Sequence, residues 1–401
     1  VSTGKFAALL EYLHRELHDE PGDLPVSGFF TALDPAEAER LSALWEATCH
    51  LVDEDFEAAT RLTEGLVRTM PDEDDGHGAM VVRTFAEALL GRSRQVSSSG
   101  GNLYLGARPP GAQLRAFELL RMRTPLIPFA YAAANRALIH DLEPDSDVTL
   151  IDVGIGRGGQ VRALLRNPLA RTRIRRLRVV GVEPDSDPGS GQGALQLAGA
   201  QVLDAAAEVG LEVEFIPVGR RAEALAASDF PELRGHILAN AAFALHHVPP
   251  AAAGGRERGD VLALLQELGA EKVVLTEPDS DHVEDRLPAR LLFAYRHYRT
   301  VASSLAAMLP QADAVLVWTE FFAPEVRNVV GHEGVARTER HERSPTWAAH
   351  LRQAGWRVDT PHQLVPSAGA PPGFTLDESG SGFRLLFRGV PLLSVIRGAQ
   401  G

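Results

Sequence analysis

Apolar positions along the chain follow two patterns. Before about residue 145 they recur every three or four places, as one face of a helix requires. Phe6, Leu9, Leu10, Leu13 and Leu17 form such a stripe, and Leu41 to Met70 is again periodic. Asp34-Pro35-Ala36-Glu37 reads as a helix start: a capping acid, a proline in the first turn, and a carboxylate beside the positive end of the helix dipole. Helical spacing returns from about Met80 to Gly91, Ala112 to Arg123 and Phe129 to Leu142. An acidic turn, Pro71 to Gly78, and a loop through Ser97 to Gly101 and Pro109 to Gly111 interrupt it.

From Val148 onward, short apolar runs alternate with helical stretches. The predicted strands are Thr149–Val153, Arg178–Val182, Glu212–Pro217, Gly235–Asn240, Lys272–Glu277 and Ala314–Phe321. Strands alternating with helices indicate a parallel sheet covered on both faces, an α/β fold. A long helical pattern, Arg286 to Leu309, stands as an insertion before the sixth run. Gly382–Arg388 and Pro391–Arg397, joined through Gly389-Val390, predict a closing antiparallel hairpin. The chain therefore divides into a helical part, 1–145, and an α/β part, 146–401, with the insertion at 283–312 joining the helical part.

Composition narrows the function. Of 401 residues 45% are apolar, enough for a large core. No run approaches the roughly 18–20 apolar residues of a membrane span, and the first residues read as an amphipathic helix, not a leader. The single cysteine, Cys49, excludes internal disulfides and a cysteine-based zinc site, and fits the cytoplasm. The net charge is −13, and residues 1–80, with 18 acids and five bases, carry all of that excess. Such acidity speaks against a nucleic-acid binder, which needs a basic face. Arg162, Arg166, Arg171, Arg173, Arg175, Arg176 and Arg178 form a basic run, best read as a solvated surface. Lys5 and Lys272 are the only lysines, which points to a high-GC, bacterial coding bias.

The most informative segment is Leu150-Ile-Asp-Val-Gly-Ile-Gly-Arg-Gly-Gly-Gln160. A strand enters a tight glycine turn, and a helix starts near Gln160. Glycines accept positive φ and let backbone N–H groups approach a ligand, and the helix start favours negative charge. Gly154, Gly156 and Gly159 satisfy the dinucleotide fingerprint G-x-G-x-x-G, which keeps a nicotinamide cofactor open. Asp152 with Gly154, Gly156 and Gly158 instead resembles the first motif of Rossmann-like methyltransferases. Glu183, at the end of the next strand, is placed to accept both ribose hydroxyls. A bare strand–turn glycine cluster with an incidental acid is the remaining alternative.

The second half resembles the GRAS family. Leu238-Ala-Asn-Ala-Ala-Phe-Ala-Leu-His-His-Val248 is similar to its N-x-x-F-x-L-H-H segment, and Thr276-Glu-Pro-Asp-Ser-Asp-His282 to its E-P-D-x-x-H segment. The helix from Arg286 to Tyr298 matches its insertion. Asn328 to Gly334 and Arg337-Thr-Glu-Arg-His-Glu342 resemble its later signatures, and Trp347 and Ala354-Gly355-Trp356 follow in order. The likeness runs from about Pro125 to Arg397. It implies a Rossmann-like class I methyltransferase sheet under a helical cap built from the N-terminal helices and the insertion. Plant members are transcriptional regulators, generally without the glycine loop. Because this chain keeps the loop, the resemblance places it with bacterial members, inferred to be small-molecule methyltransferases.

The resulting expectation is methyl transfer from S-adenosylmethionine, leaving S-adenosylhomocysteine, to a small-molecule acceptor between sheet and cap. Asp152, Gly154, Gly156, Gly158, Gln160, Glu183, Glu223 and Asn240 would bind the cofactor. His246, His247 and Glu333 are the candidate bases for an acceptor that needs deprotonation. Glu277, Tyr295, Tyr298 and Arg337 would line the substrate. Packing is the commoner reading of a stripe such as Tyr295 and Tyr298, and an ion-pair network that of Glu333 through Glu342. No metal is expected, since no third ligand follows His246-His247 in sequence. Neither a nucleic acid nor a membrane is expected as partner, and a homodimer is left open. The rival reading is a non-catalytic small-molecule-binding or regulatory GRAS module.

Overall fold

The computed structural model describes residues 2–16, 23–70, 76–95, 110–184, 193–250, 255–359, 370–379 and 382–401. Most of the acidic turn at 71–78 and most of the 97–111 loop lie outside them.

The fold is mixed α/β: a central sheet with many helices. Its strands are β1 (Ser146–Val153), β2 (Ile174–Val182), β3 (Glu212–Val218), β4 (His236–Ala242), β5 (Lys272–Pro278), β6 (Arg357–Asp359), β7 (Phe374–Ser379), β8 (Gly382–Phe387) and β9 (Val390–Ala399). The order is β3-β2-β1-β4-β5-β9-β8-β7, with β6 also against β9. The first five strands run parallel, and β5 pairs antiparallel with β9. Successive residues on one strand join different cores, as the alternation of a strand requires. Leu150, Val179, Leu238 and Val274 pack in one cluster with helix Leu126–Ile139. Ile151, Val180, Ala239, Val273 and Leu275 pack in another with Trp347 and Leu351 of helix Ser344–Gln353. Both faces are thus covered, which is why these strands read as unbroken apolar runs.

A third core joins the first helices to the long helix Leu287–Met308 and to helix Ala323–Gly331. Helix Pro35–Val52 starts as its sequence dictates: the Asp34 carboxylate accepts from the N–H groups of Ala36 (3.0 Å) and Glu37 (2.9 Å). Tyr295 reaches across this core and donates to Glu37 at 2.6 Å.

Two expectations change. The run Ala314–Phe321 is not a strand. Gln311–Val317 is α-helical and Trp318–Phe322 forms a π turn. Ala314, Val317 and Trp318 are buried at helical spacing, and the Trp318 indole donates to Thr84 on an N-terminal helix. The edge of β5 that a sixth strand needed is taken by β9. The second strand also starts earlier than the predicted Arg178, at Ile174, so the end of the basic run lies on it. Arg175 pairs with Asp147 (2.8 Å), Arg176 with Glu212 (2.8 Å) and Arg178 with Glu214 (2.7 Å), acids on the adjacent strands.

Candidate functional site

The carboxyl ends of β1, β4 and β5 lie side by side, and two polar clusters form there. The first surrounds the glycine loop. Gly154, Gly156 and Gly158 have φ of +76°, +53° and +69°, a region that L-residues with a Cβ rarely enter. A Cβ on Gly154 would stand 2.5 Å from that of Ala244, whereas one on Gly156 would meet nothing within 4 Å. Glu183 accepts from the Gly156 N–H at 3.0 Å. Burial raises its carboxyl above the usual range. Asp152 is buried and accepts from the Asn240 amide at 2.7 Å, while the Asn240 oxygen accepts from Gln160 at 2.8 Å. Burial pushes Asp152 up to about 7, against the lowering effect of the Asn240 bond. Six of the eight expected cofactor residues thus stand together around Asp152 and Gly156. Gly158 caps the helix Gly159–Leu165 that follows. Glu223 sits in the turn Ala222–Ala224 after β3, with Arg221 3.8 Å away.

The second cluster is made of histidines and carboxylates. His246 is buried between two acids: Nδ1 lies 2.5 Å from a Glu277 oxygen and Nε2 3.3 Å from a Glu339 oxygen. The other Glu277 oxygen accepts from the Leu245 N–H at 2.9 Å. Burial pushes His246 down, but the two carboxylates outweigh it and raise the imidazole to about 10. His247, half-buried beside it, is lowered to about 4 by burial and then by the charge on His246. His341 faces Glu339 at 3.4 Å and is bonded through Nδ1 to Nδ1 of His282 at 2.7 Å. The buried Arg258 guanidinium closes the cluster, reaching Glu342 at 2.8 Å and the carbonyls of Leu245, His246 and Arg340. No local signal marks Arg258 in the sequence: it opens an ordinary helix, and only the fold carries it here.

The remaining expected residues lie away from these clusters or are tied elsewhere. Glu333 is half-exposed and pairs with Arg92 (2.8 Å) and with the buried Arg290. Tyr298 is fully buried, donates to Glu325 at 3.1 Å and stacks on His282. Arg337 is buried against the carbonyls of His282 and Glu284 and the carboxylate of Asp285. Arg340, expected in an ion-pair network, instead donates to the carbonyls of Arg337 and Gly334. A general base must be free to take a proton near neutral pH. His246 already holds one between two carboxylates, and Glu277 and Glu339 are fully buried. What the geometry shows around His246 is a buried lattice of ion pairs.

The GRAS domain family is matched over residues 41–367. GRAS family protein RAD1 of Lotus japonicus is 29% identical over 264 residues, 63% of this chain and 50% of that protein. Scarecrow-like transcription factor PAT1 of Arabidopsis thaliana is 26% identical over 299 residues, 72% of this chain and 60% of that protein. The chain spans about half the length of the curated relatives it matches. SCL7 of Oryza sativa superposes with a TM-score of 0.70 at 20% identity, over 90% of this chain and 99% of the other, which shows a shared fold. The CurJ carbon methyltransferase reaches a TM-score of only 0.43 at 14% identity, too slight to carry a conclusion about activity.

These findings correct several expectations. The small-molecule methyltransferase reading gives way, because the sequence relatives are GRAS proteins, one of them a transcription factor by name. A methyl acceptor as partner, and the exclusion of nucleic acid, fall with it. The bacterial placement falls too: these relatives are plant proteins. Among the described residues no helix is long and apolar enough to cross a membrane.

Proposed function

The chain belongs to the GRAS domain family, and from that premise we propose that it acts as a non-catalytic regulatory module, working within transcriptional complexes as the name of its relative PAT1 suggests. The observation that carries this reading is His246. This candidate base is clamped between Glu277 and Glu339, so its imidazole is tied into the structure, and its neighbour His247 is lowered to about 4, too weak a base near neutral pH. The parallel strand order and the glycine loop support reading the sheet as Rossmann-like. S-adenosylmethionine then enters as a regulatory ligand. The open space at Gly156 and the Glu183 carboxylate fit a ribose, and an ionised Asp152 fits an ammonium group.

The test is a reporter assay with the chain fused to a heterologous DNA-binding domain. Changed transcription, with no labelled methyl group passed to any acceptor in a lysate, is expected. Unchanged transcription by a folded, well-expressed fusion overturns the regulatory reading, and methyl transfer overturns the non-catalytic one.

A further inference from the structure

The ion-pair lattice leaves one of its carboxylates, Glu339, without a hydrogen bond. Glu339 is fully buried, and neither of its oxygens makes a hydrogen bond to any of the described residues. Three imidazole nitrogens nevertheless face it: His246 Nε2 at 3.3 Å and His341 Nε2 at 3.4 Å from one oxygen, and His247 Nδ1 at 3.5 Å from the other. Charge-assisted N–H···O bonds close to about 2.7–2.9 Å. The Glu277–His246 contact, at 2.5 Å, shows that this interior allows close approach. The Glu339 distances are too long for that kind of bond and too short for indifference. The His246 distance is also the one expected between two donors bound at about 2.0–2.2 Å around a tetrahedral zinc ion, roughly 3.3–3.6 Å.

We propose that His246, His247 and Glu339 form a divalent transition-metal site, with Zn²⁺ the ion its donors fit best. Their ligand atoms all lie within 4.8 Å of one another. Two imidazoles and a carboxylate make a borderline donor set of the kind that takes zinc over calcium or magnesium. The surrounding shell has the matching form. His246 turns Nε2 toward the site, where the ion takes the place of the Nε2 proton and releases it to solvent, while its Nδ1–H stays on Glu277, and a carboxylate behind a ligating histidine fixes ring orientation and tautomer. His341 stands behind Glu339, its Nε2 3.4 Å from the carboxylate and its Nδ1 bonded to His282, so the fourth position of the ion is left to a solvent molecule. Two buried carboxylates, Glu277 and Glu339, face this one pocket of imidazoles, and a dication there neutralises both. His247 is half-buried and gives the ion its way in.

The test uses untagged protein, stripped with chelator and titrated with Co²⁺ and then Zn²⁺. One equivalent of Co²⁺ should give the visible ligand-field bands of a tetrahedral nitrogen–oxygen site, and Zn²⁺ should displace it and raise the melting temperature. Glu339→Gln and His247→Ala should each weaken binding more than tenfold. His14→Ala, which removes an exposed histidine elsewhere, should leave binding unchanged. Should Glu339→Gln fail to fold, His247→Ala decides the matter, because its ring is at the edge of the cluster. Absence of the bands in the unmutated protein overturns the proposal, and so does His247→Ala binding Zn²⁺ as tightly as the unmutated chain.

Discussion

Asp152→Asn changes one buried oxygen into an amide and removes a titrating proton. It leaves in place the acceptor that Asn240 uses, since an asparagine Oδ1 can still receive that bond at 2.7 Å. The magnitude follows from linkage. Burial raises the folded-state value from 3.8 to about 7, while the unfolded chain keeps the ordinary value. Between about pH 4 and pH 7 the unfolded chain has therefore released this proton and the folded chain has not. Folding loses stability as pH rises through that window and loses no more above it. At about 1.4 kcal/mol per pKa unit, the cost at pH 8 is about 4 kcal/mol. Urea unfolding of both proteins from pH 4 to pH 8 measures it directly, since the other groups cancel in the difference. The two should be about equally stable at pH 4, and the variant should gain steadily to several kcal/mol by pH 8. A difference that stays flat with pH, or a variant weaker at pH 8, refutes the claim that Asp152 is held protonated by its surroundings.

Four further outcomes are expected. Gly154→Ala should cost roughly 2–4 kcal/mol and Gly156→Ala roughly 1–2, because the first places a methyl 2.5 Å from Ala244 and the second meets only backbone strain; equal costs in urea unfolding would count against this. Calorimetry should show S-adenosylhomocysteine binding that strengthens as pH rises through 7 and is lost in Gly156→Val; failure of the unmutated chain to bind would remove the ligand role. Arg290→Met should destabilise by roughly 3–5 kcal/mol, as it strips the carbonyls of Val329, Glu284 and Asp285 and the Glu333 carboxylate of a buried partner, whereas Glu333→Gln should cost about 1 kcal/mol or less. Glu277→Gln should lower Zn²⁺ affinity roughly 10–100-fold without abolishing it, measured in the same Co²⁺ competition.

What the sequence determined by itself is whatever a local period or a local backbone demand encodes. Short apolar runs identified β1, β2, β4 and β5, because a strand buried on both faces has no polar side to show, whereas the edge strand β3 alternates Glu212 and Glu214 with Val213 and Phe215. The glycine loop was legible for the same reason: three positions at positive φ in five residues admit little else. Asp34 marked a helix start through its own two backbone bonds. The run at 314–321 was misread because a short apolar stretch fits a strand or a buried helix equally well. Its state was decided by remote facts: β9 already occupied the edge of β5, and Trp318 found Thr84 on an N-terminal helix. The candidate site divides in the same way. Asp152, Gly156 and Glu183 were placed by strand ends that the pattern revealed. That Asn240 and Gln160 hold Asp152, that Arg258 closes the histidine cluster, and that Glu339 comes against the nitrogens of His246 and His247 depends on chain segments far apart in sequence. Tertiary packing alone sets those distances, and those distances decide whether an imidazole serves as a base, a structural ion or a metal ligand.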